Sequence, residues 1–243
     1  NAMITIQNGI NLNGKTRTVE VANGSASVDA TLSGALTGNL SGGLVKSGAG
    51  TLAITGTSTY QGATRVEEGK LIVGGGGINS TTSVHVRNAT LELGAANVIN
   101  DAARITLQNG VLIGGGVGEQ MGSLMIIGDN QLNLVGAGNA IRFANSSAEA
   151  WSSTLAILDW AGLSTGGGSD QVFFGSDSTG LTSTQLSKIT FVNPTLDGQS
   201  YSGNFAAAIL ATGEIVAVIP EPSVASLALL AASGCLVRRR RGG

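Results

Sequence analysis

The chain is short of most things that enzymes and disulfide-rich modules use. It has one Cys and one His in 243 residues, which excludes an internal disulfide and zinc sites built from four cysteines, two cysteines with two histidines, or three histidines. Charged residues are 12% against a globular norm of roughly 25%. Aromatics are 4%, with five Phe, two Trp and two Tyr, so a core must be built of Leu, Ile, Val and Ala. Only three Pro occur, none before residue 194, which suits uninterrupted backbone ladders and excludes collagen. What is plentiful is glycine, 38 residues.

Charge is divided unevenly. Residues 1–219 hold nine basic and 14 acidic side chains, a net of −5, whereas Arg238, Arg239, Arg240 and Arg241 follow one another at the end. The body offers no basic stripe to phosphates, so nucleic acid is not expected as a partner. The first residues, Ile4-Thr5-Ile6, already alternate like a strand, with no charged segment leading into an apolar one; the sequence reads as the C-terminal part of a longer protein or as a reading frame begun too late.

Four segments align with one another: 65–73, 84–93, 105–113 and 124–134. Within and before them Leu52, Leu71, Leu91, Leu112 and Leu132 recur at spacings of 19, 20, 21 and 20. Three residues before the Leu stand Glu68, Asn88, Asn109 and Asp129, and two before stand Gly69, Ala89, Gly110 and Asn130, mostly turn formers. Each unit is strand, tight turn, strand and Gly-rich return. Alternation puts Val66, Val84, Val86, Ile105, Leu107, Leu91 and Leu93 on one face. A fixed period with one apolar face per strand favours stacked coils over a hairpin meander. The predicted fold is all-β: a single-stranded, right-handed parallel β-helix of about 20 residues per coil over 1–140. A non-repetitive, β-rich cap over 141–219 is expected to cover the open edge and plug the core with aromatics, with one short helix near Thr182–Ser187. Residues 220–243 form a separate tail.

The stretch 43–73 carries Lys46-x-Gly48-x-Gly50-Thr51-Leu52 and then Thr59-Tyr60-x-Gly62-x-Thr64-x-Val66-x-x-Gly69-x-Leu71. It resembles the autotransporter-associated β-strand repeat, which implies a β-helical passenger of a secreted surface protein. The tail, Pro220-Glu221-Pro222-Ser223 followed by apolar 224–237 and then Arg238–Arg241, resembles a PEP-CTERM sorting signal. That resemblance implies an exosortase-type membrane protease acting at Pro220, Glu221 and Pro222, transient residence in the inner membrane through 224–237, and release to the cell surface or extracellular matrix. Two Pro around Glu221 keep the segment extended, and the four Arg set orientation by the positive-inside rule. The 14-residue run would cover only about 21 Å as a helix, against a hydrocarbon core of roughly 30 Å.

Other motifs yield to context. Gly9–Thr16 satisfies G-x-x-x-x-G-K-[ST], but Thr18–Val21 alternates like a strand where a phosphate loop needs a helix. Gly166–Val172 partly matches a calcium-binding β-roll repeat, but only once, which favours a loop with a turn-capping Asp170. His85, between Val84 and Val86, is expected to face solvent. Glu67, Glu92 and Glu119 are read as scattered outward acids, Asp159, Asp170 and Asp177 as acids of the cap, and Tyr60 as the one aromatic of the repeats that could stack on a sugar. The expectation is a non-enzymatic surface or matrix protein without cofactor or metal, with extracellular polysaccharide as a partner. The alternatives are a carbohydrate-binding or adhesive module on the helix face and, behind it, a polysaccharide-degrading enzyme. A conventional autotransporter would need a C-terminal barrel, and the chain ends in Arg and Gly.

Overall fold

The structure, a computed structural model, describes residues 3–38 and 41–220. The chain winds into a parallel β-solenoid of about 22 residues per turn. One long sheet stacks Ile4–Ile6, Ala30–Leu32, Thr51–Ile54, Lys70–Val73, Thr90–Leu93, Val111–Ile113, Asn130–Asn133, Leu155–Leu158 and Ile189–Val192, all parallel. A second sheet stacks Thr16–Glu20, Gly43–Ser47, Thr64–Val66, Ser83–Arg87, Arg104–Gln108 and Leu124–Ile127. A third side holds three strands, Gly118–Met121, Ala140–Phe143 and Gln171–Phe174.

Register explains the leucine spacing. Leu52, Leu71, Leu91, Leu112 and Leu132 are direct partners in successive coils, and all are buried. On the second sheet Val66, Val86, Leu107 and Ile126 form the facing column. Each such side chain contributes roughly 1.5–3 kcal/mol by leaving water, and each rests on its equivalent one rung away. The turn joining the two sheets holds a residue in the left-handed region in each coil: Gly48, Gly69, Asn88, Asn109 and Gly128. Glycine and asparagine are the residues that adopt it at least cost.

Sequence periodicity lapses after Leu134, yet the parallel stacking continues. The leucine column passes from Leu132 to Ile157 and then Phe191, across loops of unequal length. Here aromatics fill the interior: Phe143 stacks on Phe174 at 5.1 Å, Trp151 meets Phe174 edge-on at 5.8 Å, and Trp160 tilts against Phe191 at 4.8 Å. Gly162 makes room for the Trp160 ring, since a Cβ there would lie 2.1 Å from it. The short helix is Ser183–Leu186, started by a capping box between Thr182 and Gln185. Parallel winding then gives way to Asn204–Ile209 and Ile215–Val218, which run antiparallel and close the C-terminal end. At the other end Ile4 and Ile6 remain exposed on the edge strand.

Candidate functional site

The repeat motif is the most specific sequence feature, and its side chains turn inward. Lys46 shares the inward parity of Leu44 and is fully buried. Its ammonium donates to the carbonyls of Ser47 at 3.0 Å and Gly48 at 2.6 Å in its own turn, and of Glu68 at 3.0 Å in the next coil. Burial lowers its pKa, against the opposing pull of Glu68 and Asp29. Tyr60, expected on the surface, is instead buried, with its hydroxyl 2.7 Å from that of Thr64, which is 3.1 Å from Thr81. Burial pushes the Tyr60 phenol upward. No sugar can stack on it. Lys46 and Thr64 thus hold one coil to the next, while Tyr60 bonds locally to Thr64.

The same device recurs with other residues. Asn130 accepts from the Gly110 amide at 2.8 Å and donates to the Ile127 and Gly128 carbonyls, capping the equivalent turn four coils on. Asp29 accepts from the Gly24 and Thr51 amides, both at 2.8 Å. Asp170, the residue that prompted a calcium reading, is buried and takes hydrogen bonds from the Asn139 amide and side chain and from the Ala161 amide. Glu119 corrects the sequence reading: it is buried, where an outward acid was expected, and accepts from the Val98 and Ile99 amides at 2.8 and 3.0 Å. Desolvation pushes its pKa up to about 7, although the two amides pull the other way. Glu67 and Glu92 do lie toward solvent, paired with Arg87 and Lys70.

Gly9–Thr16 is strand, turn and strand: Ile10–Asn11, the left-handed pair Asn13 and Gly14, then Thr16–Glu20. No helix N-terminus stands there to hold a phosphate. Among the described residues no three His, Cys, Asp or Glu side chains come together as a metal site would require. None of their helices is long and apolar enough to cross a membrane. Of the tail motif, Pro220 is exposed; Glu221, Pro222, the apolar run 224–237 and Arg238–Arg241 lie outside the described residues.

A groove of about 720 Å³ lies over the third side, lined by Asp101, Gln120, Arg142, Asn145, Phe173 and Asp177. Gln120, Arg142 and Phe173 are register partners in successive coils, facing outward between buried Glu119, Ile141 and Val172 and buried Met121, Phe143 and Phe174. The Arg142 guanidinium lies 3.7 Å from the centre of the Phe173 ring, and so covers it. Gln120 donates to Asp101 at 3.2 Å. Hydrogen bonds from the Thr179 hydroxyl and amide hold Asp177 below the usual carboxylate range. This site went unseen in the sequence because its residues are spread over more than a hundred positions; period-two alternation in 118–121, 140–143 and 171–174 is the signal that could have grouped them.

A family profile described as passenger-associated-transport-repeat matches residues 44–73, the coil built around Lys46, Tyr60 and Thr64. No curated protein and no solved structure matches the chain. The matched repeat and the parallel solenoid together fit an autotransporter-associated repeat protein with the character of an extracellular passenger.

Proposed function

We propose that the protein is a non-enzymatic scaffold of the cell surface or extracellular matrix, delivered there through its C-terminal tail. The observation that carries this reading is the use made of the motif residues: Lys46, Tyr60 and Thr64 are buried, with Lys46 and Thr64 bonded to the next coil and Tyr60 bonded to Thr64. The recognisable part of the sequence thus encodes a rod, while the acids on its surface are dispersed among ion pairs and turns. In this reading Pro220, Glu221 and Pro222 are the element that an exosortase-type protease recognises, residues 224–237 hold the precursor in the inner membrane, and Arg238–Arg241 fix its orientation. The test is fractionation of producing cells. Glu221→Ala should insert normally and accumulate uncut in the inner membrane, because the apolar run and the Arg cluster are unchanged. Replacing Arg238–Arg241 by Ser should disturb retention and orientation instead, each Arg contributing about 1 kcal/mol at an anionic leaflet. A Glu221→Ala protein that reaches the surface in wild-type size and amount would refute the sorting role.

The groove over Gln120, Arg142 and Phe173 supports a second reading, a module that binds neutral glycan. Its carboxylates, amides and guanidinium can exchange hydrogen bonds with sugar hydroxyls. The first reading is preferred because the ring of Phe173 is already covered by Arg142.

A further inference from the structure

The outer face of the second sheet carries a concentration of cations on a body whose net charge is negative. Arg65, His85 and Thr106 are register partners on three successive coils. Arg87 stands beside them, paired with Glu67 at 3.0 Å, while Arg104, one coil on, pairs with Glu149 at 3.4 Å. Arg65 is exposed and makes no side-chain hydrogen bond or ion pair among the described residues, so its charge is unspent. The six side chains of Arg65, Glu67, His85, Arg87, Thr106 and Gln108 surround a hollow of about 220 Å³. Thr106, 6% exposed, lies in its lining with a buried hydroxyl that has no hydrogen-bond partner among the described residues.

We propose that this hollow binds an acidic saccharide unit, its carboxylate on Arg65 and the His85 edge and its ring hydroxyls on Thr106, Gln108 and Glu67. The charge calls for an anion, and the mixed donors and acceptors beside it call for hydroxyls on the same molecule. Arg104 lies two residues before Thr106 on the same strand and the same face, so a polymer running along that strand meets it next. Burial, with Arg65 and Arg104 nearby and Glu67 pulling the other way, already holds His85 below its ordinary range, and an anion seated there would raise it. The inference rests on the matrix reading above and names the class of polymer that the scaffold would meet.

His85 is the chain's one histidine, so its imidazole protons are a single reporter in a proton NMR spectrum. The 243-residue chain would be titrated at constant ionic strength with tetragalacturonate, with neutral maltotetraose and with sodium sulfate, while calorimetry follows total binding. Tetragalacturonate should move the His85 signals saturably and raise the imidazole pKa, maltotetraose should not, and Arg65→Gln should weaken the effect about tenfold, as loss of a charge-assisted bond implies. Circular dichroism of Arg65→Gln should match wild type. Equal response to sulfate at equal charge would overturn the saccharide assignment. Heat of binding with silent His85 signals, undiminished in Arg65→Gln, would place the glycan elsewhere and overturn the site while leaving the matrix reading intact. No binding of any kind would overturn the site, and the matrix reading would then rest on cell fractionation alone.

Discussion

Lys46→Met separates a cap from a mere buried charge. Methionine keeps the length and apolar stem of lysine and removes the three donors. The Ser47 carbonyl retains a bond from the Val21 amide at 3.0 Å, but the Gly48 and Glu68 carbonyls lose the partner that Lys46 gave them. An unsatisfied buried acceptor costs about 1–3 kcal/mol, so two give about 2–6 kcal/mol. Removing a desolvated ammonium returns part of that, because apolar replacements of buried charges are often favourable by about 1–4 kcal/mol. The net expectation is a loss of about 2 kcal/mol, a fall of roughly 4–8 °C in the melting temperature of a chain this size. The pH dependence has a definite sign. Burial lowers the folded pKa of Lys46 below 10.5, so between the folded value and 10.5 the unfolded chain binds more protons and stability rises with pH. The gap between wild type and Lys46→Met should therefore widen as pH is raised from neutral to about 10.5. Thermal and urea unfolding followed by far-UV circular dichroism would measure both effects. A variant as stable as wild type at neutral pH, with a parallel pH profile, would refute the capping role.

Three further outcomes follow from the same geometry. Glu119→Gln should flatten the pH profile of stability near neutrality: the folded pKa of about 7 lies above the ordinary 4.5, so Glu119 favours the folded state fully at low pH and loses that contribution as pH rises through 7; urea midpoints from pH 4 to 8 measure it, and an unchanged slope would count against the buried carboxyl. Leu91→Asp should cost at least about 3 kcal/mol, since a carboxylate would lie between Leu71 and Leu112, whereas Glu92→Ala on the opposite face should stay within about 0.5 kcal/mol; equal losses would invalidate the inward and outward assignment. A chain truncated after Val218 should be soluble with a β-type spectrum, because Ile215–Val218 is the last core strand among the described residues; aggregation without β signal would show that the tail belongs to the fold.

The leucine column was legible because a fixed period keeps one side chain on one rung. The buried polar set was harder to read, since Lys46, Glu119 and Asp170 belong to residue types that usually face water. Parity was the available clue. Lys46 follows Leu44 by two, Glu119 precedes Met121 by two and Asn130 precedes Leu132 by two, so alternation already assigned all three to the interior. Composition had argued the opposite, and tertiary hydrogen bonding decided it. Beyond Leu134 the coils continue with loops of unequal length, so the step from Leu132 to Ile157 to Phe191 has no period to find. The groove and the His85 hollow are products of stacking: their residues meet only because coils twenty or more positions apart lie one rung apart.

We propose that this solenoid is delivered outside the cell by a tail that is cut in the process. Intact mass and C-terminal peptide mapping of the protein recovered from the surface of the producing cell test it most directly. The account predicts a mature chain that retains the body through Val218, ends near Pro220-Glu221-Pro222 and lacks Arg238–Arg241. Recovery of the surface protein with the Arg cluster still attached, or of the full chain from the cytoplasm alone, would contradict it.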